Sequence, residues 1–128
     1  MIERHLMPGA PAPRGPYSHA VRAGDFVYVS GMGPLDPVTN EFDFGDIRHE
    51  TRLVLQNIKS ILEGCGASMQ DVVKCSVFLA DRNDFGAMNE VYAEFFGEAK
   101  PARTTVQVVL PVEHMKVEID CIAWKPRR

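Results

Sequence analysis

The chain has 128 residues, of which 45% are apolar and 24% are charged, and its formal net charge is −3. This length fits one domain spanning residues 1–128, with enough core to need no disulfide or metal, and it leaves no room for a second domain. The small negative charge, without any block of like charges, argues against nucleic acid as the main partner, because phosphate binding depends on lysine and arginine.

The sequence also lacks the usual motifs of cofactor and metal sites. It contains no glycine-rich nucleotide motif, and its three cysteines and four histidines are too scattered for a zinc site or a disulfide framework. We therefore predict no cofactor and no metal, and we expect most histidines to be solvated. With no apolar run near the roughly 20 residues of a membrane span and no secretory signal, we predict a cytoplasmic protein without a membrane partner.

The N-terminal third reads as a loop, a hairpin and a second loop. Residues 8–16 contain four prolines and two glycines, which exclude helix and central strand and predict an ordered loop or a tail. Residues 17–23 and 25–31 are rich in strand-forming types on either side of a turn and predict a β-hairpin. Residues 32–45 predict a loop with turns.

Two helices are predicted from apolar residues at helical spacing. The first begins after Asp46, which can cap it, and ends near Gly64. The second has Asp81 or Asn83 as its cap and ends at Gly97. Its apolar stripe is interpreted as a face that packs on a sheet rather than a ligand site, and consists of Phe85, Met88, Tyr92, Phe95 and Phe96.

Three further strands complete the pattern. Residues 72–80 are apolar on both faces and predict an inner strand, and residues 104–110 and 116–124 predict the last two. The order β-β-α-β-α-β-β predicts an α+β fold, with both helices on one face of a single sheet. An oligomer is predicted because the valines of the strands cannot all face the helices. These valines are Val27, Val29, Val73, Val106 and Val108.

Arg103 is the first candidate for chemistry, because it enters a strand just after Pro101. One interpretation is a salt bridge at the end of the strand, as for most surface arginines. The other is a guanidinium fork that binds a carboxylate through two parallel hydrogen bonds, which a lysine cannot reproduce. The spacing alone leaves both interpretations open.

Glu118 is the second candidate, and it shares one face of the last strand with Asp120. Two acids on one strand project in parallel and do not clamp a substrate as glycosidase carboxylates do, so ion-paired surface acids are the alternative. Tyr17 and Ser30 with Gly31 offer hydroxyl and backbone donors near turns, and Asn89 flanks the stripe of the second helix. Ser30 lacks the G-x-S-x-G context of a serine hydrolase.

Six segments together resemble the reactive intermediate deaminase (Rid) family, the YjgF-like group once named liver perchloric-acid-soluble protein endoribonucleases. The resemblance spans nearly the whole chain in order. The segments are Gly-Pro-Tyr-Ser at 15–18, Val-Ser-Gly at 29–31, Val-Phe-Leu-Ala-Asp at 77–81, Asn-Glu-Val-Tyr-Ala-Glu-Phe-Phe at 89–96, Pro-Ala-Arg-Thr at 101–104 and Val-Glu-Ile-Asp-Cys-Ile-Ala at 117–123.

The resemblance implies a chorismate-mutase-like α+β fold, a homotrimer whose sheets line a central barrel, and three sites in the clefts between subunits. It implies hydrolysis of reactive enamine or imine acids, such as 2-aminoacrylate and 2-iminopropanoate, to a 2-keto acid and ammonia. In this family pattern Arg103 binds the substrate carboxylate and Glu118 positions the attacking water. Tyr17, Ser30, Gly31 and Asn89 surround the same cleft, and the backbone carbonyl of Thr105 helps to hold the water.

Three residues depart from the family pattern near the expected cleft: Thr105, Gln107 and Met32. They leave the substrate open, with a larger enamine such as 2-aminomuconate as one alternative. A trimer that binds a small carboxylate for regulation, without turnover, is another. Endoribonuclease activity fits poorly with the negative charge and the absence of a histidine pair for acid and base catalysis.

Overall fold

The computed structural model describes residues 1–127 and shows a mixed six-stranded sheet with two helices. The strands are β1 Ile2–His5, β2 Ala20–Ala23, β3 Phe26–Met32, β4 Val72–Leu79, β5 Ala102–Gln107 and β6 Val117–Trp124. The helices are α1 Ile47–Gly64 and α2 Phe85–Phe96. The strands lie in the order β1-β2-β3-β6-β4-β5, and within residues 1–127 only β4 and β5 run parallel. The predicted α+β class is confirmed.

The predicted hairpin is present as β2 and β3, but its first strand starts later than expected, at Ala20. The chain before it bends, since the Tyr17 amide donates to the Gly15 carbonyl. The predicted strand 104–110 lies instead at Ala102–Gln107, because its one partner, β4, ends where Leu79 pairs with Gln107. Strand β1 was not predicted.

The ends of α1 follow the predicted signals. The Asp46 carboxylate accepts a hydrogen bond from the His49 amide at 2.9 Å, which satisfies one of the free N–H groups of the first turn. The helix ends at Gly64, and Gly66, with a φ of +81°, turns the chain away from it. The cap and the stop residue set the ends of α1, and its buried apolar residues decide which face meets the sheet.

The predicted cap of α2 is wrong, because the residue before the helix is Asp84 and its side chain makes no capping bond. Asp81 caps the short turn that precedes the helix instead, where its carboxylate accepts from the Asn83 amide at 2.8 Å. This 3₁₀ turn leads into the helix, which Gly97 ends with a φ of +54°. The predicted apolar stripe is correct in its buried part and wrong for Phe85, which is 46% exposed. The buried residues of the stripe are Met88, Tyr92 and Phe96.

The core lies between the two helices and one face of the sheet, and buried residues of both helices join a single cluster with it. Val27 and Val29 belong to this cluster, whereas Val73 and Val106 are more than 40% exposed. The expectation that the valines cannot all face the helices is therefore confirmed. Other large apolar side chains left exposed on the sheet include Phe26, Tyr28 and Trp124.

No helix within residues 1–127 is both long and apolar enough to cross a membrane. Over the same residues, no three histidine, cysteine or acidic side chains are grouped closely enough to hold a metal ion. All three cysteines are buried free thiols.

Candidate active site

A cleft of about 490 Å³ lies beside strands β3 and β6. Four predicted site residues line it: Tyr17, Ser30, Gly31 and Glu118. Residues 11–14 of the proline-rich segment form part of its wall, so that segment is an ordered loop along the site rather than a free tail. We call this space, bordered by residues 11–14 and the four predicted residues, the proline-loop cleft.

His19 holds this loop in place through two hydrogen bonds to its backbone and to the residue before it. Its Nδ1 accepts a hydrogen bond from the Met7 amide at 2.7 Å, and its Nε2 donates to the Pro11 carbonyl at 2.5 Å. The expectation of a solvated histidine is wrong here, because His19 is only 3% exposed and both its nitrogens are paired with backbone groups. The imidazole thus ties the chain just before β2 to Met7 and to Pro11 of the proline-rich loop.

Two hydroxyl groups border the cleft. The Tyr17 hydroxyl accepts from the Arg14 amide at 3.1 Å, which ties the end of the loop to the cleft wall. The Ser30 hydroxyl donates to the Ser18 carbonyl at 2.6 Å. Because this bond uses the hydroxyl proton, Ser30 offers only its lone pairs to a ligand, in agreement with the absence of a nucleophile motif.

Gly31 and Glu118 come into very close contact. A Cβ atom built on Gly31 would lie 2.5 Å from Oε2 of Glu118, so only glycine leaves room for this carboxylate. Burial and, to a lesser degree, the nearby Asp120 carboxylate raise the pKa of Glu118 above its ordinary value of 4.5. Within residues 1–127 no basic nitrogen lies within 4.0 Å of this carboxylate, so the ion-paired interpretation is wrong for Glu118.

Arg103 lies elsewhere, on the edge strand β5 against α2. Its guanidinium carbon is 4.7 Å from the ring centre of Tyr92 and 5.5 Å from that of Phe85, which are distances of cation–π contact. No carboxylate of residues 1–127 lies within 4.0 Å of it, so the salt-bridge interpretation is not what the structure shows. Two rings orient the guanidinium and leave its donors free for a ligand.

Asn89 and Thr105 lie on the elements around Arg103 and do not line the proline-loop cleft. Asn89 lies four residues after Phe85 and three before Tyr92 on α2, so it shares their helical face. Its Oδ1 is buried without a partner in the described chain, as is the Thr105 hydroxyl. Thr105 also borders a second hollow of about 350 Å³. Arg103, Asn89 and Thr105 thus form a second group of predicted residues.

The two groups are on opposite faces of the sheet. Arg103 contacts rings of α2, on the helix-covered face, whereas Glu118 alternates with Val117 and Ile119, which are buried in the core. Strand β4 also lies between their two strands. One copy of the chain therefore does not bring Arg103 and Glu118 together.

Two polar side chains that line the cleft were not among the predicted site residues, Arg14 and His19. Both act through contacts with residues that are distant in the sequence or lie in the proline segment, where no periodic pattern indicates which way a side chain points. The one feature of the sequence that could have pointed to Arg14 is its position between Pro13 and Gly15.

The sequence and the fold match known proteins over most of this chain. The sequence profile of the endoribonuclease L-PSP family matches residues 7–125. The chain belongs to this family, which is also the YjgF-like or reactive intermediate deaminase family, and the resemblance found in the sequence is confirmed.

Among its relatives, a RutC family protein of Pyrococcus horikoshii is 53% identical over 116 residues, 91% of this chain and 92% of that protein. A 2-iminobutanoate/2-iminopropanoate deaminase of Dermatophagoides farinae is 45% identical over 115 residues, 90% of each chain. A yeast protein of known crystal structure has a TM-score of 0.93 at 37% identity, covering 98% of this chain and 99% of its own. Escherichia coli TdcF, crystallised with bound serine, has a TM-score of 0.86 at 39% identity, covering 95% and 99%.

Proposed function

We propose that the protein hydrolyses reactive 2-imino acids and their enamine tautomers, such as 2-iminopropanoate and 2-aminoacrylate, to 2-keto acids and ammonia without a cofactor. Family membership and the deaminase named among its relatives support this class of reaction. The observation that carries the proposal is Arg103, a guanidinium oriented by Tyr92 and Phe85 with no carboxylate partner in residues 1–127. Such a group suits the carboxylate that every 2-imino acid carries.

In the proposed reaction, water adds to C2 while the C=N electrons move to nitrogen, which gives a carbinolamine. The carbonyl then forms as the hydroxyl proton passes through Glu118 to the nitrogen, the C2–N bond breaks, and ammonia leaves with the electron pair. Glu118 accepts a proton from the water and returns it to the nitrogen. A carboxyl group with a raised pKa suits both steps, because it exchanges protons nearer to neutral pH.

This chemistry makes modest demands on the protein. The imine carbon is already electrophilic, so capture of the carboxylate, orientation of water and one proton carrier are sufficient. In the proposal Tyr17, Ser30 and Gly31 shape the cleft around the reacting atoms, while Asn89 and the backbone carbonyl of Thr105 contribute from the side of Arg103.

Because one copy holds Arg103 and Glu118 on opposite faces, we place each complete site between two copies. A homotrimer with three such sites satisfies this requirement with one repeated, closed interface. The exposed apolar residues of the open sheet face, Phe26, Tyr28 and Trp124, would then be covered by neighbouring copies.

The test is competition with semicarbazide for imines that an amino-acid oxidase makes from alanine or 2-aminobutanoate. The wild-type protein should lower semicarbazone formation as it hydrolyses the imine. Arg103→Ala should lower the rate about tenfold or more, since a hydrogen bond to a charged group contributes roughly 1.5–3 kcal/mol. Arg103→Lys should recover only part of the rate, because lysine lacks the planar fork.

Arg52→Ala is the matched control, because Arg52 is an exposed arginine paired with Glu94 at 2.9 Å and outside the cleft. It should keep the wild-type rate. The proposed role of Arg103 is wrong if Arg103→Ala is as fast as the wild type. Saturable binding of 2-keto acids without any faster imine hydrolysis would instead indicate a carboxylate-binding protein.

A further inference from the structure

Arg14 is a second arginine that lines the proline-loop cleft. Its guanidinium carbon lies 4.8 Å from the ring centre of Phe42, and its Nη2 donates a hydrogen bond to the Asn40 carbonyl. Both contacts are with neutral groups. No carboxylate oxygen of residues 1–127 lies within 4.0 Å, so the contacts hold the side chain in place without neutralising its charge.

The backbone around Arg14 is also fixed. Its amide donates to the Tyr17 hydroxyl, and His19 holds the preceding part of the loop through Met7 and Pro11. Asn40 has the left-handed φ of +59°, and its carbonyl accepts the hydrogen bond from the Arg14 guanidinium. An arginine ordered in this way loses little further freedom when it binds a ligand.

The other residues that line the cleft indicate what kind of ligand Arg14 could bind. Among residues 1–127 Glu118 is the one carboxylate that lines it, and His19 has both nitrogens occupied by backbone groups. Much of the other surface is apolar and includes Met32, Leu35 and Met115. A volume of about 490 Å³ is within the range of sites for ligands much larger than a three-carbon acid.

We propose that Arg14 binds a second carboxylate, at the far end of the substrate side chain, so that the preferred substrates are 2-imino dicarboxylic acids or their enamine tautomers. This inference rests on the proposed function, in which Arg103 of a neighbouring copy holds the first carboxylate. Two separated arginines then match the two charges of the substrate, and the apolar lining meets the carbons between them. A dianion entering a protein of net charge −3 needs such local cations.

The experiment compares two imines of equal length, 2-iminopentanoate and 2-iminopentanedioate, made in place by oxidases from norvaline and glutamate. The full-length wild type is compared with Arg14→Met, which removes the charge and keeps an unbranched side chain. Arg4→Met is the matched control, because Arg4 is an exposed arginine on β1 outside the cleft and its loss changes the net charge equally. Binding of the two corresponding 2-keto acids is measured by calorimetry alongside.

Arg14→Met should lower the rate with the dicarboxylic imine, and weaken binding of 2-oxopentanedioate, about tenfold or more. The monocarboxylic pair should change less than about twofold, and Arg4→Met should change neither. Equal losses with both imines would overturn the inference, since Arg14 would then bind the carboxylate that all substrates share, and so would no loss with either. If the wild type hydrolyses neither imine, the proposed function fails, and the binding arm alone decides whether Arg14 recognises a second carboxylate.

Discussion

Glu118 combines a half-buried position, a raised pKa and the absence of a cationic partner within residues 1–127. A carboxyl group whose pKa is higher in the folded than in the unfolded chain binds protons more tightly in the fold. Between its ordinary value of 4.5 and its raised value, stability therefore falls as the pH rises. Such a cost is expected where a charge is kept for chemistry rather than for folding.

We therefore expect Glu118→Gln to abolish imine hydrolysis and to raise the thermal unfolding temperature at neutral pH. The gain should disappear below about pH 4.5, where the wild-type carboxyl is protonated in both states. Thermal unfolding followed by circular dichroism from pH 4 to pH 8 measures the difference. A variant less stable than the wild type at pH 7 would show that the carboxylate has a structural partner.

Gly31 should be required for activity and not for folding. In Gly31→Ala the new methyl group would meet Oε2 of Glu118 at 2.5 Å, and the flexible carboxylate, rather than the backbone, would move. We expect a loss of activity of about tenfold or more with a change in unfolding free energy below about 1 kcal/mol. Gly86→Ala is the control, because nothing lies within 4 Å of its Cβ position, and it should keep full activity.

At the scale of elements, the proline segment is the least regular part of the chain and yet forms a wall of the site. Its shape depends on His19, whose two nitrogens pair with Met7 and Pro11. In His19→Leu the Met7 amide and the Pro11 carbonyl lose these partners, which costs roughly 1–3 kcal/mol for each buried group. The loop, rather than the sheet, should open.

Hydrogen exchange followed by mass spectrometry tests whether the loop opens in His19→Leu while the sheet stays closed. Exchange in the peptide that covers residues 6–12 should be about tenfold faster or more in His19→Leu, with β4 unchanged. His49→Leu, at an exposed histidine, should leave the loop protected. If protection of the loop is the same in His19→Leu, the segment is held by its own prolines and not by the imidazole.

The elements also show which features local sequence can predict. The helices follow from apolar spacing together with Asp46, Gly64 and Gly97, since these signals act within a few residues. Strand β1 could not be found in this way, because Ile2–His5 is a short edge strand with mixed burial. It is stabilised by pairing with residues 20–23, which no local pattern reports.

At the scale of the whole molecule, the predicted site residues form two groups that one chain keeps apart. Arg103 and Glu118 could be chosen as candidates from their residue types, and the family resemblance supplied their roles. Their separation in the fold could not be predicted, because it depends on strand order, with β4 between β5 and β6. Arg14 escaped prediction for a similar reason, as its contacts with residues 40 and 42 are made by folding.

The separation makes assembly part of the proposed catalytic mechanism. If each site takes Arg103 from one copy and Glu118 from the next, a variant that lacks one of these two residues is inactive when it assembles only with itself. A mixed trimer of the two variants would still contain one interface with both residues intact. The open face of the sheet, with exposed Phe26, Tyr28 and Trp124, is the surface that such an assembly would cover.

The most direct measurement is therefore the activity of Arg103→Ala and Glu118→Gln, each alone and after the two are refolded together in equal amounts. Each variant alone should be nearly inactive. Random mixing puts both variants in three quarters of the trimers, with one intact site in each, so about one quarter of wild-type activity should return. A mixture as inactive as its components, although mass spectrometry shows mixed oligomers, would contradict a site shared between copies.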